Sequence, residues 1–110
     1  MEVSFSSAKI RKLCESQKAL VRRHGDKCAR QVMARLADLE AAASLEDFRD
    51  LPGKCHELTG DRKGKFALHL PDGKRLVFAP KTGELTRDRG RGSNWSQVDA
   101  VCVIEIVEYH

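Results

Sequence analysis

The residues best suited to chemistry are two histidines, a tyrosine and two arginines that lie far apart in the sequence. His56 falls in a short predicted strand, Tyr109 and His110 follow a later strand, and Arg62 and Arg75 lie between them. An imidazole titrates near neutrality, and a guanidinium fork matches phosphate oxygens. Such groups could cleave RNA without a metal: a base takes the proton of a 2′-hydroxyl, an acid protonates the leaving 5′-oxygen, and cations stabilise the phosphate. Spacing alone does not establish that these residues converge.

The size and composition are those of one small domain. The chain has 110 residues, of which 41% are hydrophobic and 33% charged, with a single Trp and a single Tyr. We therefore expect one core, built mainly from aliphatic side chains. No apolar stretch approaches the ~18 residues of a membrane span, and the first residues lack the apolar segment of a secretion signal. These features predict a cytoplasmic protein with no membrane partner.

Positive charge is concentrated in the middle of the sequence. The net charge is +4 and the pI is about 9.0. Residues 59–91 contain nine Lys or Arg and four acids, whereas residues 92–110 contain three acids and no Lys or Arg. Such a distribution suits contact with a phosphate backbone.

The cysteines do not form a recognisable site. Cys14, Cys28, Cys55 and Cys102 include no C-x-x-C pair and no histidine at zinc-finger spacing. We expect reduced thiols that fill core space, with no metal and no cofactor.

Hydrophobic periodicity predicts strand, helix and helix in the first half. Residues 1–5 alternate as a short edge strand, and Ser6 or Ser7 can cap a helix that continues to His24. Gly25 interrupts the pattern, and Asp26 can cap a second helix that ends between Ala41 and Ser44. Two helices joined by a tight turn form a hairpin.

The period changes to about two residues after Leu51-Pro52-Gly53. Residues 54–58 and 65–70 are candidate strands, and residues 71–73 form a turn into a strand at residues 74–78. Residues 80–94 are rich in Gly, Lys and Arg and indicate a flexible loop. Residues 101–107 are almost all β-branched and predict a central strand. His24 and His69 are more typical of structural histidines, and Trp95 of a packing anchor.

Together these elements predict an α+β fold in one domain, residues 1–110. The N-terminal strand and the helical hairpin pack on one face of a twisted, mostly antiparallel sheet of four or five strands. The other face is expected to carry the site.

Several motifs of the second half resemble one family. The pattern around His56, which continues as Glu-Leu-Thr-Gly-Asp-Arg-Lys-Gly, is combined with a terminal Tyr-His. Together with the Arg75-Leu-Val-Phe and Trp95-Ser-Gln-Val runs, this is similar to the HigB-like branch of the RelE/ParE toxin superfamily, the plasmid maintenance killer type. The first half agrees only in its order of helices and sheet.

The resemblance implies the toxin of a type II toxin–antitoxin pair with a RelE-like fold. Such a toxin is a ribosome-dependent mRNA endonuclease, silenced by a HigA-like helix-turn-helix antitoxin and reaching operator DNA only through that antitoxin. The resemblance places His56, Glu108, Tyr109 and His110 at catalytic positions. Glu108 stands where the family usually has Asp, and its implied role is to orient an imidazole. The resemblance also implies phosphate contacts from the basic residues of the hairpin region, namely Lys54, Arg62, Lys63, Lys65, Lys74 and Arg75.

Two alternatives remain open from the sequence. One is a ParE-like toxin that inhibits DNA gyrase without cutting RNA, although such a protein would not need the histidine motif. The other is a basic RNA-binding domain without catalytic activity, whose affinity would fall steeply with salt.

Overall fold

A computed structural model describes residues 1–81 and 95–108 and confirms the α+β architecture. Five strands form one sheet in the order β1-β5-β4-β3-β2. β1 pairs parallel to β5, and the other three pairs are antiparallel. The predicted central strand, β5, indeed lies between β1 and β4. The strands are β1 (Glu2–Phe5), β2 (His56–Glu57), β3 (Phe66–His69), β4 (Lys74–Pro80) and β5 (Ala100–Glu108).

The segment before the 3-10 helix at Leu45–Arg49 forms three α-helices, whereas the sequence predicted two. The expected first helix is divided into α1 (Ala8–Cys14) and α2 (Gln17–His24). The division occurs because Ser16 acts as a second N-cap, with its hydroxyl accepting a hydrogen bond from the backbone N–H of Ala19 at 3.1 Å. The prediction of a continuous helix to His24 was therefore wrong.

The helical hairpin itself is confirmed. α2 packs against α3 (Asp26–Ala41) through a turn at Gly25, whose φ of 87° is easily adopted only by glycine. Gly25, not Asp26, is the N-cap of α3. Asp26 lies in the first turn instead, where its carboxylate pairs with Arg30 at 3.1 Å.

The core lies between the helices and one face of the sheet. It is built from apolar side chains of α2 and α3 packed on strand residues of the same face. Phe66 and Phe78 are directly paired across β3 and β4, and their rings stack at 5.8 Å. Each fully buried ring stabilises the fold by about 1.5–3 kcal/mol through the hydrophobic effect.

The segment between α3 and β2 closes one end of this core. A 3-10 helix at Leu45–Arg49, which the sequence did not predict, buries Leu45 and Phe48. Another 3-10 helix, at Trp95–Gln97, buries the Trp95 ring against Phe66 at 5.3 Å, as expected of an anchor. The guanidinium of Arg49 lies 4.2 Å above the Trp95 ring.

A β-bulge at Ile104 changes which side chains of β5 face the core. Val103 pairs with Phe78 of β4, but the next β4 residue, Val77, pairs with Glu105. The additional residue reverses the alternation. Val101 and Val103 consequently pack on the helices, whereas Glu105 faces the opposite side of the sheet.

The turn before β4, the loop after it and the cysteines were also predicted from the sequence. The turn at residues 71–73 is a 3-10 turn in which Asp72 and Gly73 adopt positive φ. The predicted flexible loop begins at the last residue of β4, and its residues 82–94 lie outside the described residues. All four cysteines are free thiols. Among the described residues, each helix is too short or too polar to span a bilayer.

Candidate active site

The sheet face away from the helices, here called the open face, brings together distant parts of the sequence. Strand pairing aligns His56, Ala67, Val77 and Glu105 in one row across four strands. The adjacent row contains His69, Arg75 and Val107. Since Phe66, Leu68, Leu76 and Phe78 of the same strands are buried against the helices, the residues between them must face the other way.

A small apolar patch supports this surface. Leu58, Ala67 and Val77 are buried together, and Val107 packs against them. Polar side chains surround the patch: His56, Arg75 and Glu105 are half-buried and His69 is exposed. This buried patch therefore supports the strand backbone from which each polar side chain extends.

His56 is held at both ring nitrogens. Its Nδ1 lies 2.9 Å from the carbonyl oxygen of Lys54, and its Nε2 lies 3.1 Å from Nη1 of Arg75. A carbonyl only accepts and a guanidinium only donates, so these contacts fit an imidazole with its proton on Nδ1 and its lone pair on Nε2. This is the form that can take a proton through Nε2.

The carbonyl that orients His56 comes from an unusual turn. Lys54 has a φ of 48°, a left-handed conformation that is strained for a residue with a side chain, and Gly53 before it has a φ of 108°. Strain of this kind is often found at functional sites. The Lys54 side chain is exposed beside the histidine.

His69 was not among the site residues predicted from the sequence, yet it lies beside His56. The two ring centroids are 5.5 Å apart, with the rings at 69°. The pKa of His69 is lowered, first by desolvation, then by the positive charge of Arg75, by the electrostatic interaction with His56 and by the positive charge of Lys54. In the sequence, the alternation of residues 65, 67 and 69 along one strand already indicates that His69 lies on the same side of the sheet as residues 65 and 67.

Arg62 reaches the open face from the β2–β3 connection. Its Nη2 lies 3.5 Å from Oε2 of Glu105, and both side chains are about one-third exposed. Lys65 continues the outward alternation of β3, since its carbonyl accepts from the N–H of Leu58, and Lys63 is exposed on the same connection. Four of the predicted phosphate-binding cations, Arg62, Arg75, Lys54 and Lys65, thus lie on or beside the open face.

Lys74 and Glu108 are placed on the other side of the sheet. They are paired across β4 and β5 in the row that alternates with His69 and Arg75. The Nζ of Lys74 lies 3.2 Å from Nδ1 of His24, whose other ring nitrogen is buried without a hydrogen-bond partner among the described residues. The pKa of His24 is lowered, by desolvation first, then by Lys74 and Arg23, with Glu108 opposing the shift. Neither Lys74 nor Glu108 is brought to His56.

The remaining predicted residues, Tyr109 and His110, lie outside the described residues. Residues 1–81 and 95–108 contain no group of His, Cys, Asp and Glu that could hold a metal ion. The chemistry supported by the described open face is that of imidazole and guanidinium: proton transfer and the binding of an anion.

Comparison with known proteins finds this fold in a toxin. A solved structure described as a YoeB/ParE toxin from Agrobacterium tumefaciens matches with a TM-score of 0.61, and the alignment covers 100% of both chains at 12% sequence identity. No family model matches the sequence, and no curated protein matches it. The chain therefore has the fold of a YoeB/ParE toxin.

Proposed function

We propose that this protein is the toxin of a type II toxin–antitoxin system and that it cleaves mRNA on the ribosome without a metal. The observation that carries the proposal is the contact at 3.1 Å between Nε2 of His56 and Nη1 of Arg75, on the open face of a fold shared with a YoeB/ParE toxin. A proton acceptor and a phosphate-binding cation are thus adjacent.

In the proposed reaction His56 is the general base. Its Nδ1–H donates to Lys54, which leaves Nε2 to accept the proton of the 2′-hydroxyl. When the substrate binds, the guanidinium of Arg75 exchanges its hydrogen bond to His56 for hydrogen bonds to the phosphate oxygens. This exchange is favourable because a bidentate contact with an anion is stronger than a single hydrogen bond to a neutral ring. Arg75 then stabilises the charge that develops on phosphorus.

The family resemblance also implies roles for Arg62, Tyr109, His110 and Glu108, and the observations that support these roles differ. Arg62 contributes positive charge beside the row that contains His56. Tyr109 and His110 follow β5 and are retained as acid/base candidates on the resemblance alone. Glu108 shares its face with Lys74 and His24. The proposal assigns no role at His56 to Glu108 or Lys74.

The proposed partners follow from the same function. A HigA-like helix-turn-helix antitoxin would silence the toxin and bind operator DNA, and the ribosome would present the mRNA. The basic residues at 59–91 suit an RNA substrate. We propose the cytoplasm as the place of action, because translating ribosomes are found there.

Inhibition of DNA gyrase is the second candidate function. It is favoured by the description of the structural neighbour, which includes ParE. It gives no reason for the paired ring contacts of His56, since a protein that acts only by binding needs no proton acceptor with a fixed tautomer. Binding of RNA without cleavage is the third candidate.

A reconstituted translation reaction separates these functions. Purified wild-type protein is added to ribosomes translating a defined mRNA, with His56→Ala as the inactive variant and His24→Gln as a matched control on the opposite face. We expect cuts within the coding sequence for the wild type and the control, and intact mRNA for His56→Ala. Intact mRNA with the wild type, together with inhibition of supercoiling by purified gyrase, would establish the second candidate instead.

A further inference from the structure

We propose that His69 is the second acid/base group of this site and protonates the leaving oxygen while His56 removes the proton of the nucleophile. This inference rests on the proposed function and assigns a catalytic role to a residue that the sequence patterns did not select. It is carried by the arrangement of His56, His69 and Arg75 on the open face.

Two strand registers bring the imidazoles together. His69 is directly paired with Arg75 across β3 and β4, and Ala67, two residues before it, is directly paired with His56 across β2 and β3. His69 is therefore the diagonal neighbour of His56 on the same face. The centroid distance of 5.5 Å is short enough for each ring to hydrogen-bond a different oxygen of one phosphodiester, at about 2.6–3.2 Å each.

Arg75 is adjacent to both imidazoles on the open face. It contacts Nε2 of His56 and is the cross-strand partner of His69. A phosphate held by this guanidinium would be adjacent to both imidazoles. The exposure of His69 leaves its ring accessible to a substrate.

The charges around His69 suit an acid that is loaded by its substrate. In the empty site, the pKa of His69 is lowered by desolvation first, then by the positive charge of Arg75 on β4, by the electrostatic interaction with His56 on β2, and by the positive charge of Lys54 before β2. A bound phosphodiester is negative and offsets those charges, so it favours the protonated ring when substrate is present.

The proposed step balances without a co-reactant. Nε2 of His56 takes the proton of the 2′-hydroxyl, the 2′-oxygen forms a bond to phosphorus, and the bond from phosphorus to the 5′-oxygen breaks. The N–H of His69 gives its proton to that 5′-oxygen. The products are a 2′,3′-cyclic phosphate and a 5′-hydroxyl. Solvent then removes the proton from His56 and returns one to His69.

A substrate with a better leaving group tests this role directly. We would prepare an mRNA in which the 5′-oxygen at one cleaved linkage is replaced by sulfur, because a thiolate leaves without protonation. Single-turnover rates on this mRNA and on the ordinary mRNA would be measured for the wild type, His56→Ala, His69→Gln and His110→Gln. His24→Gln serves as the matched control, and circular dichroism checks that each variant is folded.

We expect His69→Gln to slow cleavage of the ordinary linkage by about 100-fold or more, the typical contribution of a general acid. It should cleave the sulfur linkage within about threefold of the wild type, whereas His56→Ala should be slow on both. The pH–rate profile of His69→Gln should also lose its fall at high pH.

Each other outcome has one meaning. If the wild type cuts neither mRNA, the proposed function fails and this inference fails with it. If the wild type cuts and folded His69→Gln is equally active, or equally slow on both linkages, His69 is not the acid although the proposed function stands. Recovery by sulfur in His110→Gln and not in His69→Gln would assign the acid to His110 and overturn the inference.

Discussion

Replacing Arg75 should separate catalysis from folding. Its guanidinium donates to His56 at 3.1 Å, and Arg75 is half-buried on the open face. Loss of a charged donor aimed at the reacting phosphate typically lowers a rate by about 10²–10³-fold, or about 2.7–4 kcal/mol. The hydrogen bond to His56 is exchanged for water in the unfolded chain, so we expect the free energy of unfolding to change by less than about 1.5 kcal/mol.

The assay compares Arg75→Ala with Arg75→Lys and with Arg30→Ala. Arg30 pairs with Asp26 at 3.1 Å on an exposed surface of α3, where its side chain is 67% exposed, so it matches the change in charge at a site remote from His56. Single-turnover mRNA cleavage and urea unfolding are measured on each protein. Arg75→Lys keeps the charge but loses the fork and should recover only part of the rate.

The activity of Arg75→Ala decides whether Arg75 acts in catalysis. If Arg75→Ala cleaves mRNA within about threefold of the wild type while remaining folded, the guanidinium does not stabilise the reacting phosphate. A rate equally reduced in Arg30→Ala would show that total charge, and not the position of Arg75, controls activity.

Three further predictions concern stability and reactivity. Phe78→Ala removes a ring with no exposed surface and should lower the free energy of unfolding by about 3–5 kcal/mol in urea titrations. Met33 is exposed, so Met33→Ala should lower it by less than about 1 kcal/mol. A loss that small for Phe78→Ala would contradict the packing of this ring. The pKa of His24 is lowered from its ordinary 6.5, so the unfolded chain binds more protons below that pH and the folded state loses stability as the pH falls through this value. His24→Gln should reduce the decrease in thermal midpoint between pH 7 and pH 5, and an unchanged decrease would exclude His24 as its source. Burial raises the pKa of Cys14 to about 11 and that of Cys55 to about 12. At pH 8, alkylation of both thiols should therefore be at least about tenfold slower in the folded protein than in urea. Equal rates would contradict the burial of these thiols.

The sequence predicted the strands of the sheet where a strong local pattern marks them. The predicted bounds of β3, β4 and β5 are close to the observed ones. They were marked by the alternation in residues 65–70, by the turn at residues 71–73 that precedes β4, and by the β-branched run at residues 101–107. The break in the first helix was missed because the apolar spacing continues through it. Only the capping geometry of Ser16 reveals the second start.

The composition of the open face was harder to predict because it depends on pairing between distant segments. His56 and Arg75 were both expected in the site, but their contact depends on two strand registers. The bulge at Ile104 interrupts a nearly continuous β-branched run, in which nothing marks the reversal that turns Glu105 toward Arg62 and Glu108 away. His69 was assigned a structural role because one strand pattern does not show its partner across the sheet.

Direct sequencing of RNA ends in cells shows whether the open face carries an mRNA endonuclease. The wild type, His56→Ala and His24→Gln are each expressed briefly, and fragments bearing a 5′-hydroxyl are mapped. We expect new 5′-hydroxyl ends inside coding sequences for the wild type and His24→Gln, with none above background for His56→Ala. Growth arrest by the wild type without such ends, or the same ends with His56→Ala, would exclude mRNA cleavage by His56 on the open face.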